Sequence, residues 1–375
     1  MSAEIWNAIA VVKDPRVQGR IDYPLGLILL VSLYATISGC DDWEQIEDYA
    51  ANYEEELRVL YKKLSGNDLE IARMPSHDTF NRVFQLIDPN KFMQAYKDFV
   101  CSIYEIMTGK TIAIDGKTLR GVKRVEKMNP AHIVSAYCTE HHFVIDHLKA
   151  EEKGHELTTI LKLLDALFLE GSTVTIDAAG TYVEVVEKIL SKGGNFVLLV
   201  KGNQKRLLRF IEQEFKSYKN NEITTDKQID TGHGKVEERT AYCITDIRTD
   251  DDIDDCMSKW EGVKTLVKIE RKVYKKVDKS DSVEIVYYIT NLTDAKEIND
   301  TIRKHWSIEN NLHRSLDVLL GEDHSQKSIN NVVENFHIMN LLALFVLKEL
   351  SNEMKISMKR IRKICSYTPP TKLFT

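Results

Sequence analysis

Two aspartates follow short apolar runs that are typical of buried strands. Asp115 follows residues 111–114, and Asp177 follows residues 174–176. A carboxylate at the end of a buried strand loses solvation, and this loss costs free energy unless a cation compensates the charge. Asp115-Gly116 is also the commonest hairpin dipeptide, so a turn is the simpler interpretation. The local sequence slightly favours that turn over a metal ligand, and the rest of the chain has to decide.

A third acid, Glu309, lies on a predicted helix over residues 301–320. If the first and fourth strands are neighbours, Asp115 and Asp177 emerge side by side and repel unless one is protonated or a divalent cation separates them. A carboxylate from an adjacent helix completes an oxygen site of the kind that Mg²⁺ or Mn²⁺ prefers. Two such ions can activate a water and stabilise the leaving oxygen of a phosphodiester. Cationic neighbours that suit phosphates are Lys117, Arg120, Lys201, His233, Lys235 and Arg303.

The helix around Glu309 allows simpler interpretations. His305, Glu309 and His313 lie at four-residue spacing, so they could pair along one helix face. The same three side chains suggest a zinc site, but contact with DNA or with the metal ligands is favoured because acids elsewhere complete an oxygen site. Trp306 is of a type found more often in cores than stacked on bases. The other candidates for the third acid are Asp317, Glu322 and Asp323.

The elements that must position these residues change along the chain. Residues 1–100 are predicted to be helical, and residues 111–200 follow a β-β-β-α-β-α-β order, which predicts an α/β core with a mixed sheet. β-branched runs within 203–295 predict a β-rich insertion, and helices return at 296–350. Residues 355–375 of the tail have six basic residues and no acid, and such a patch suits phosphates. The predicted units are 1–105, 106–202, 203–295, 296–350 and 351–375.

Composition sets further limits. The first 100 residues carry 10 Lys+Arg and 16 Asp+Glu, a net of 10 − 16 = −6, so the remaining 41 basic and 41 acidic residues balance and local basic patches remain possible. Six scattered cysteines without a Cys-x-x-Cys pair predict free thiols and argue against a zinc site. Residues 23–40 are uncharged but short and carry Pro and Gly, so a buried helix is favoured over a membrane span. The predicted location is the cytoplasm, without membrane partners.

Several motifs together resemble the H-repeat-associated transposases, which are insertion-sequence enzymes of the DDE superfamily. The motifs are IDGKTLRG at 114–121, TIDA at 175–178, KGNQ at 201–204, HGKVE at 233–237, HWSIENNLH at 305–313, LDV at 316–318, GED at 321–323 and PSHDTF at 75–80. The resemblance implies a ribonuclease H-like catalytic core, a helical N-terminal accessory domain, and Asp115, Asp177 and Glu309 as the triad that binds two Mg²⁺ or Mn²⁺ ions. Related enzymes carry Tyr and Lys around the Glu, whereas Ile302 and Leu316 stand seven residues before and after Glu309. Arg303, His305 and Arg314 are the candidate substitutes.

The function that this resemblance implies is metal-dependent cleavage at insertion-sequence ends, followed by attack of the freed 3′-hydroxyl on target DNA. Double-stranded DNA and a homodimer or larger synaptic complex are the implied partners. A nuclease of the same fold that no longer transposes and an inactive DNA-binding relic are the alternatives. The KGNQ segment suits a DNA backbone, although it is equally typical of a turn after a strand. The predicted DNA contacts are Lys117, Arg120, Lys201, Asn203, Gln204, His233, Lys235, Arg303, His305, Trp306, Asn310, His313 and Arg314.

Overall fold

A computed structural model describes residues 2–103, 108–119, 131–150, 156–219, 222–232, 234–247, 256–275, 280–324 and 331–373. Two predicted DNA contacts, Arg120 and His233, lie outside these ranges. The N-terminal part is helical, as predicted. Its helices are α1 (Ser2–Ala10), α2 (Leu25–Ile37), α3 (Trp43–Asn52), α4 (Glu54–Ser65), α5 (His77–Leu86) and α6 (Pro89–Ile103).

The uncharged segment forms the centre of this helical part. Helix α2 is apolar on every side, and twelve of its thirteen residues are buried, which is the pattern of a helix inside a core. Trp43 links neighbouring helices, with ring centroids 5.0 Å from Phe84 and 5.3 Å from Phe336. Within the described part of the chain, no helix is both long and apolar enough to cross a membrane.

A nine-stranded mixed sheet follows, so the predicted mixed α/β architecture is confirmed. The first five strands lie in the order β3-β2-β1-β4-β5, and β1, β4 and β5 are parallel to one another. Helices α7 (Glu156–Ala166) and α8 (Val183–Ser191) connect them. These strands are β1 (Thr111–Thr118), β2 (His132–Cys138), β3 (Phe143–Ala150), β4 (Thr173–Ile176) and β5 (Asn195–Val200).

Strand β1 is longer than the sequence predicts. Asp115 does not end it, because antiparallel pairing with β2 continues as far as Thr118 opposite His132. The parallel pairing with β4 stops at Ile114 opposite Ile176. Asp115 and Gly116 therefore lie inside a strand, which excludes the hairpin-turn interpretation of this dipeptide.

The stretch 203–295 extends the same sheet. It contains helix α9 (Lys205–Ser217) and four antiparallel strands, the last of which pairs with β5 from Val197 opposite Thr290 to Val200 opposite Tyr287. The strands are β6 (Thr224–Gly232), β7 (Lys235–Ile244), β8 (Thr265–Lys275) and β9 (Ser280–Thr290). The predicted β-rich character is present, but these strands continue the core sheet instead of forming a separate one.

The C-terminal helices close over the sheet. Helix α10 (Ala295–Ser307) buries Ile298 and Ile302 in an apolar cluster with Val197 and Tyr288. Two π-helical segments follow it, Ile308–His313 and Ser315–Leu319. Helix α11 (Val332–Met354) then packs between α2 and α6, and α12 (Met358–Cys365) packs against α11. The predicted helix over 301–320 is therefore continuous but changes its winding at Ile308.

Candidate active site

Asp115 and Asp177 occupy equivalent places on two adjacent parallel strands. Each follows the last residue at which β1 and β4 pair with each other, Ile114 in β1 and Ile176 in β4. The backbone N–H of Gly116 donates to Asp115 Oδ1 at 2.8 Å. Asp177 caps the short 3₁₀ turn after β4, because the N–H of Ala179 donates to its Oδ1 at 3.0 Å. These local bonds fix both carboxylates at the same edge of the parallel strands.

The carboxylates repel one another. Burial, together with the charges of Asp177 and Glu309, raises the pKa of Asp115 to about 7. Burial also raises the pKa of Asp177, with a contribution from Glu156. Glu309 is exposed on the first π-helical segment. The three predicted acids are thus close enough to interact electrostatically.

His313 belongs to this acidic site. Its Nδ1 lies 3.4 Å from Asp115 Oδ2, and burial together with Lys117 lowers its pKa to about 4, so the imidazole is neutral at pH 7. His305 faces another strand, where the backbone of Thr175 in β4 is its partner and burial lowers its pKa to about 4. The two histidines therefore do not form a zinc site with Glu309. His313 contacts a predicted metal ligand, and His305 packs against β4, so neither is a DNA contact on the surface.

Sequence reasoning missed a fourth acid and its partner. Glu156 begins α7, and its Oε1 lies 2.9 Å from Nε2 of His132 at the start of β2. A Cβ on Gly116 would lie 2.5 Å from that Nε2, so only glycine after Asp115 leaves room for the pair. In the sequence, Glu156 looks like an acid that favours a helix N-terminus, and nothing local indicates that α7 returns to the site.

Lys117 is not available for the phosphate contact that was predicted. Its ammonium donates to Asp317 Oδ1 at 2.5 Å and to Glu322 Oε2 at 2.6 Å. Glu322 Oε1 lies 2.7 Å from His337 Nδ1 in the same buried layer. Burial would lower the pKa of Lys117, but Glu322 and Asp317 outweigh this effect and raise it. Two of the three residues considered as alternative third acids, Asp317 and Glu322, therefore neutralise a buried lysine.

The KGNQ segment forms the turn that supports Asp177. Asn203 Nδ2 donates to the carbonyl of Ala178 at 2.6 Å, and Gln204 Nε2 donates to the carbonyl of Thr181 at 2.8 Å. Both amides are thus engaged with the turn that begins at Asp177, which differs from the predicted DNA contacts. Lys201 is exposed beside this turn, and its charge acts to lower the pKa of Asp177.

The remaining predicted contacts line two depressions on either side of Glu309. Lys235, Arg303, Trp306 and Asn310 line a pocket of about 330 Å³ between the extended sheet and α10. Arg303 pairs with Asp230 there. Arg314 is exposed and lines a second groove, with Asn310 shared between the two.

The residues at the positions of the expected Tyr and Lys are packed in the core. Ile302 is 2% exposed and Leu316 is fully buried. Of the three candidate substitutes, Arg303 pairs with Asp230 and His305 packs at β4, whereas Arg314 is exposed. Arg314 alone of these three can therefore reach a ligand without breaking the contacts described.

The donor set of this site is suitable for a hard cation. It consists of carboxylate oxygens from two strands and one helix, and their mutual repulsion is the feature that a divalent ion would relieve. In the parts of the chain that the structure covers, no three His, Cys, Asp or Glu side chains meet the geometry of a metal cluster. The chemistry of these carboxylate residues fits Mg²⁺ or Mn²⁺.

The site combines two acids on adjacent parallel strands with a third acid on a helical segment. The sequence of the chain also matches known families. Residues 107–346 match the family model "Transposase DDE domain", and residues 6–100 match the model "DDE_Tnp_1-associated". The chain belongs to the DDE transposase family.

Individual relatives agree with this membership. The putative transposase YncI of Escherichia coli O157:H7 is 35% identical over 367 residues, which cover 96% of this chain and 90% of that protein. The H repeat-associated putative transposase YhhI of Escherichia coli K12 is 32% identical over 350 residues, 92% of this chain and 90% of that protein. The resemblance to the H-repeat-associated transposases is therefore confirmed. Among solved structures, a chain of the piggyBac transposase synaptic complex with hairpin DNA superposes on 99% of this chain and over 78% of its own length. The identity is 10% and the TM-score is 0.45.

Proposed function

We propose that this protein is a metal-dependent transposase with a ribonuclease H-like core. It cleaves the phosphodiester at the ends of an insertion sequence and then joins the freed 3′-hydroxyl to target DNA. The observation that carries this proposal is the placement of Asp115 and Asp177 directly after the paired residues Ile114 and Ile176. Glu309 supports it, because its charge acts on Asp115 from the helical side of the site.

Asp115, Asp177 and Glu309 are the proposed ligands of two Mg²⁺ or Mn²⁺ ions. Bound at these carboxylates, such ions supply an activated water and charge stabilisation for the leaving oxygen. Neutral His313 orients Asp115 through their 3.4 Å contact. The Asn203 and Gln204 amides hold the turn after Asp177, so the second carboxylate is fixed before DNA binds.

Cations around the site are proposed to hold duplex DNA. Lys201 lies on the Asp177 side, and Arg314 lies on the Glu309 side. Lys235 lines the pocket that contains Trp306, a polar and aromatic surface suited to a DNA strand. We propose that two copies of the chain act together on the two ends of the element, as a homodimer or a larger synaptic complex.

Incubation of the full chain with duplex DNA carrying the flanking element ends, in Mg²⁺ or Mn²⁺, tests the proposal. We expect nicks at the element boundary that require the divalent ion and joined products when target DNA is added. Nicks without joining would identify a nuclease of the same fold. DNA binding without any cleavage by the folded protein, in either metal, would contradict the catalytic proposal.

A further inference from the structure

A groove of about 750 Å³ runs along the surface beside Glu309. Three elements form it: the end of α2, the π-helical segments after α10, and the C-terminal helix α12. The groove lies next to the segment that carries Glu309, because its lining includes Asn310, the following residue in the chain.

The charge of this lining has one sign. It contains Arg314, Lys359, Arg362 and Lys363 and no acidic residue. Arg362 has an internal role, because it pairs with Asp41 at 2.5 Å and donates to the carbonyl of Leu319. The other three cations are exposed at the surface.

This positive lining contrasts with the rest of the protein. The chain has a net charge of −6, so a groove with three exposed cations beside the paired Arg362, and no acid in its lining, concentrates positive potential at one place. Its other polar groups are four serine hydroxyls and two asparagine amides. Cations together with hydroxyls and amides are the groups that contact phosphate oxygens and sugars of DNA, whatever the base sequence.

The fold holds these cations in a fixed position. Ile361 and Cys365 of α12 are buried, which anchors one side of the helix against the core. Lys359 and Lys363 stand four residues apart, so they lie on one face of the helix. Arg314 lies between the two π-helical segments. The three cations therefore line one groove, together with Asn310.

We propose that this groove binds the phosphate backbone of the DNA that enters the active site, with Arg314, Lys359 and Lys363 as its phosphate contacts. This inference rests on the proposed function and names a surface through which it acts. The other occupant with suitable charge is the acidic N-terminal part of a second copy, which also carries a net charge of −6. DNA is favoured because Asn310 and Arg314, from the same helical segment as Glu309, line the groove.

The test is a salt titration of DNA binding by full-length Lys359→Gln/Lys363→Gln, followed by fluorescence anisotropy with a labelled duplex. Each phosphate contact contributes about 0.9 to the slope of log affinity against log salt. Two lost contacts should reduce that slope by about 1.8. If the variant and the parent bind equally at about 1 M salt, the variant then binds about sixtyfold more weakly than the parent at about 0.1 M salt. Each single variant should show about half of the change in slope.

The matched control is Lys13→Gln/Lys63→Gln. Both of these lysines are exposed on the N-terminal helical part, and their replacement changes the net charge by the same amount. We expect the control to keep the parent's slope, and thermal melts of all variants should confirm that they are folded. If the control weakens binding as much as the α12 variant, net charge is the cause and the groove is not a DNA site.

Two further results would overturn the inference. The first is an α12 variant that binds DNA with the parent's affinity and slope. The second is an unchanged slope with a lower oligomeric state in analytical ultracentrifugation, which would assign the groove to a second copy. Cleavage by the parent distinguishes failure of the groove proposal from failure of the proposed function. If the parent cleaves DNA and the α12 variant is unaffected, only the groove proposal is refuted. If the parent neither binds nor cleaves DNA, the proposed function is refuted as well.

Discussion

Lys117 and Glu322 are 205 positions apart in the chain, yet Nζ of one lies 2.6 Å from Oε2 of the other. Lys117 is two residues after Asp115 on β1, so both side chains point to the same face of the sheet. Glu322 also contacts His337 of α11 and accepts from Asn340 at 3.3 Å. This pair therefore connects the strand of the first acid to the segment that follows the third.

Replacement of Lys117 by methionine should destabilise the protein by about 3 kcal/mol. The reason is that removal of one partner leaves the other buried charge uncompensated. Chemical denaturation of Lys117→Met, Glu322→Gln and the double variant should reveal a coupling of about 1–3 kcal/mol. The exposed Lys63→Met is the control. A stable Lys117→Met protein with a lower salt slope of DNA binding would instead assign Lys117 to a phosphate contact.

The pKa of Asp115 predicts a pH dependence of the metal-free fold. This pKa is 3.8 for an unperturbed carboxyl and about 7 in the folded state, so the folded state binds the proton more tightly. The contribution of Asp115 to stability should therefore be greatest below about pH 4 and fall as pH rises to about 7, by at most about 4 kcal/mol. Thermal melts in a chelator across this range should show the decline. Asp115→Asn should flatten it, and the exposed Asp98→Asn should not.

Divalent ions should reverse this decline, because they bind the ionised carboxylates and not the unfolded chain. At a concentration about 100-fold above the dissociation constant, the gain in stability is about 2.7 kcal/mol. Mg²⁺ or Mn²⁺ should raise the melting temperature more at high than at low pH, because protons compete for the same oxygens. The absence of any shift in the parent, or an equal shift in Asp115→Asn, would contradict metal binding at this site.

Alanine at Asp115, Asp177 or Glu309 should reduce the cleavage rate about a thousandfold or more, while DNA affinity changes little. The lost carboxylate would act mainly in the transition state, where several kcal/mol of stabilisation depend on it. Double variants should be hardly slower than single ones, because the acids act as a unit. Strand-cleavage assays with Asp317→Ala in parallel distinguish the third acid. Near-normal nicking by Glu309→Ala, with loss of activity in Asp317→Ala, would replace Glu309 in this role.

Asn203→Ala should slow cleavage without weakening DNA binding. The variant loses the 2.6 Å bond to the carbonyl of Ala178, so the turn that places Asp177 becomes looser. Misplacement of a reacting group by about 1 Å can cost up to about a hundredfold in rate. Single-turnover cleavage and equilibrium binding measure the two effects separately. Lys201→Gln is the counterpart, since loss of that exposed cation should lower affinity and the salt slope more than the rate.

Local patterns predicted the elements that carry the first two acids. The apolar runs before Asp115 and Asp177 are typical of buried strands, and they form β1 and β4. Two strands and one helix separate them in the chain, so their adjacency in the sheet was an assumption at the level of sequence. The helical position of Glu309 also follows from its surroundings. By contrast, the winding change at Ile308 has no sequence signal that we can name.

The partners of the cations were beyond local reasoning. In the sequence, Lys117 is a basic residue close to Asp115, and nothing local indicates its partners. Asp317 and Glu322 come from a distant segment that only the tertiary fold brings near. Asn203 and Gln204 have donor groups that suit a phosphate or a carbonyl equally well, and the fold supplies carbonyls. Free polar groups cannot be separated from engaged ones until the packing is known.

The π-helical winding after Ser307 holds more residues per turn than an α-helix does. The N–H of Arg314 donates to the carbonyl of Glu309, and the N–H of Leu320 donates to that of Ser315, each five positions back. Deletion of one residue between Glu309 and Arg314 would allow the ordinary four-position bonding to return there, so the side chains that follow would keep nearly the same faces. Fully buried Leu316 and largely exposed Val318 would then still face their present surroundings. A single-codon deletion within 310–313 should therefore damage the fold less than a deletion inside α10, where every following side chain would turn by about 100°.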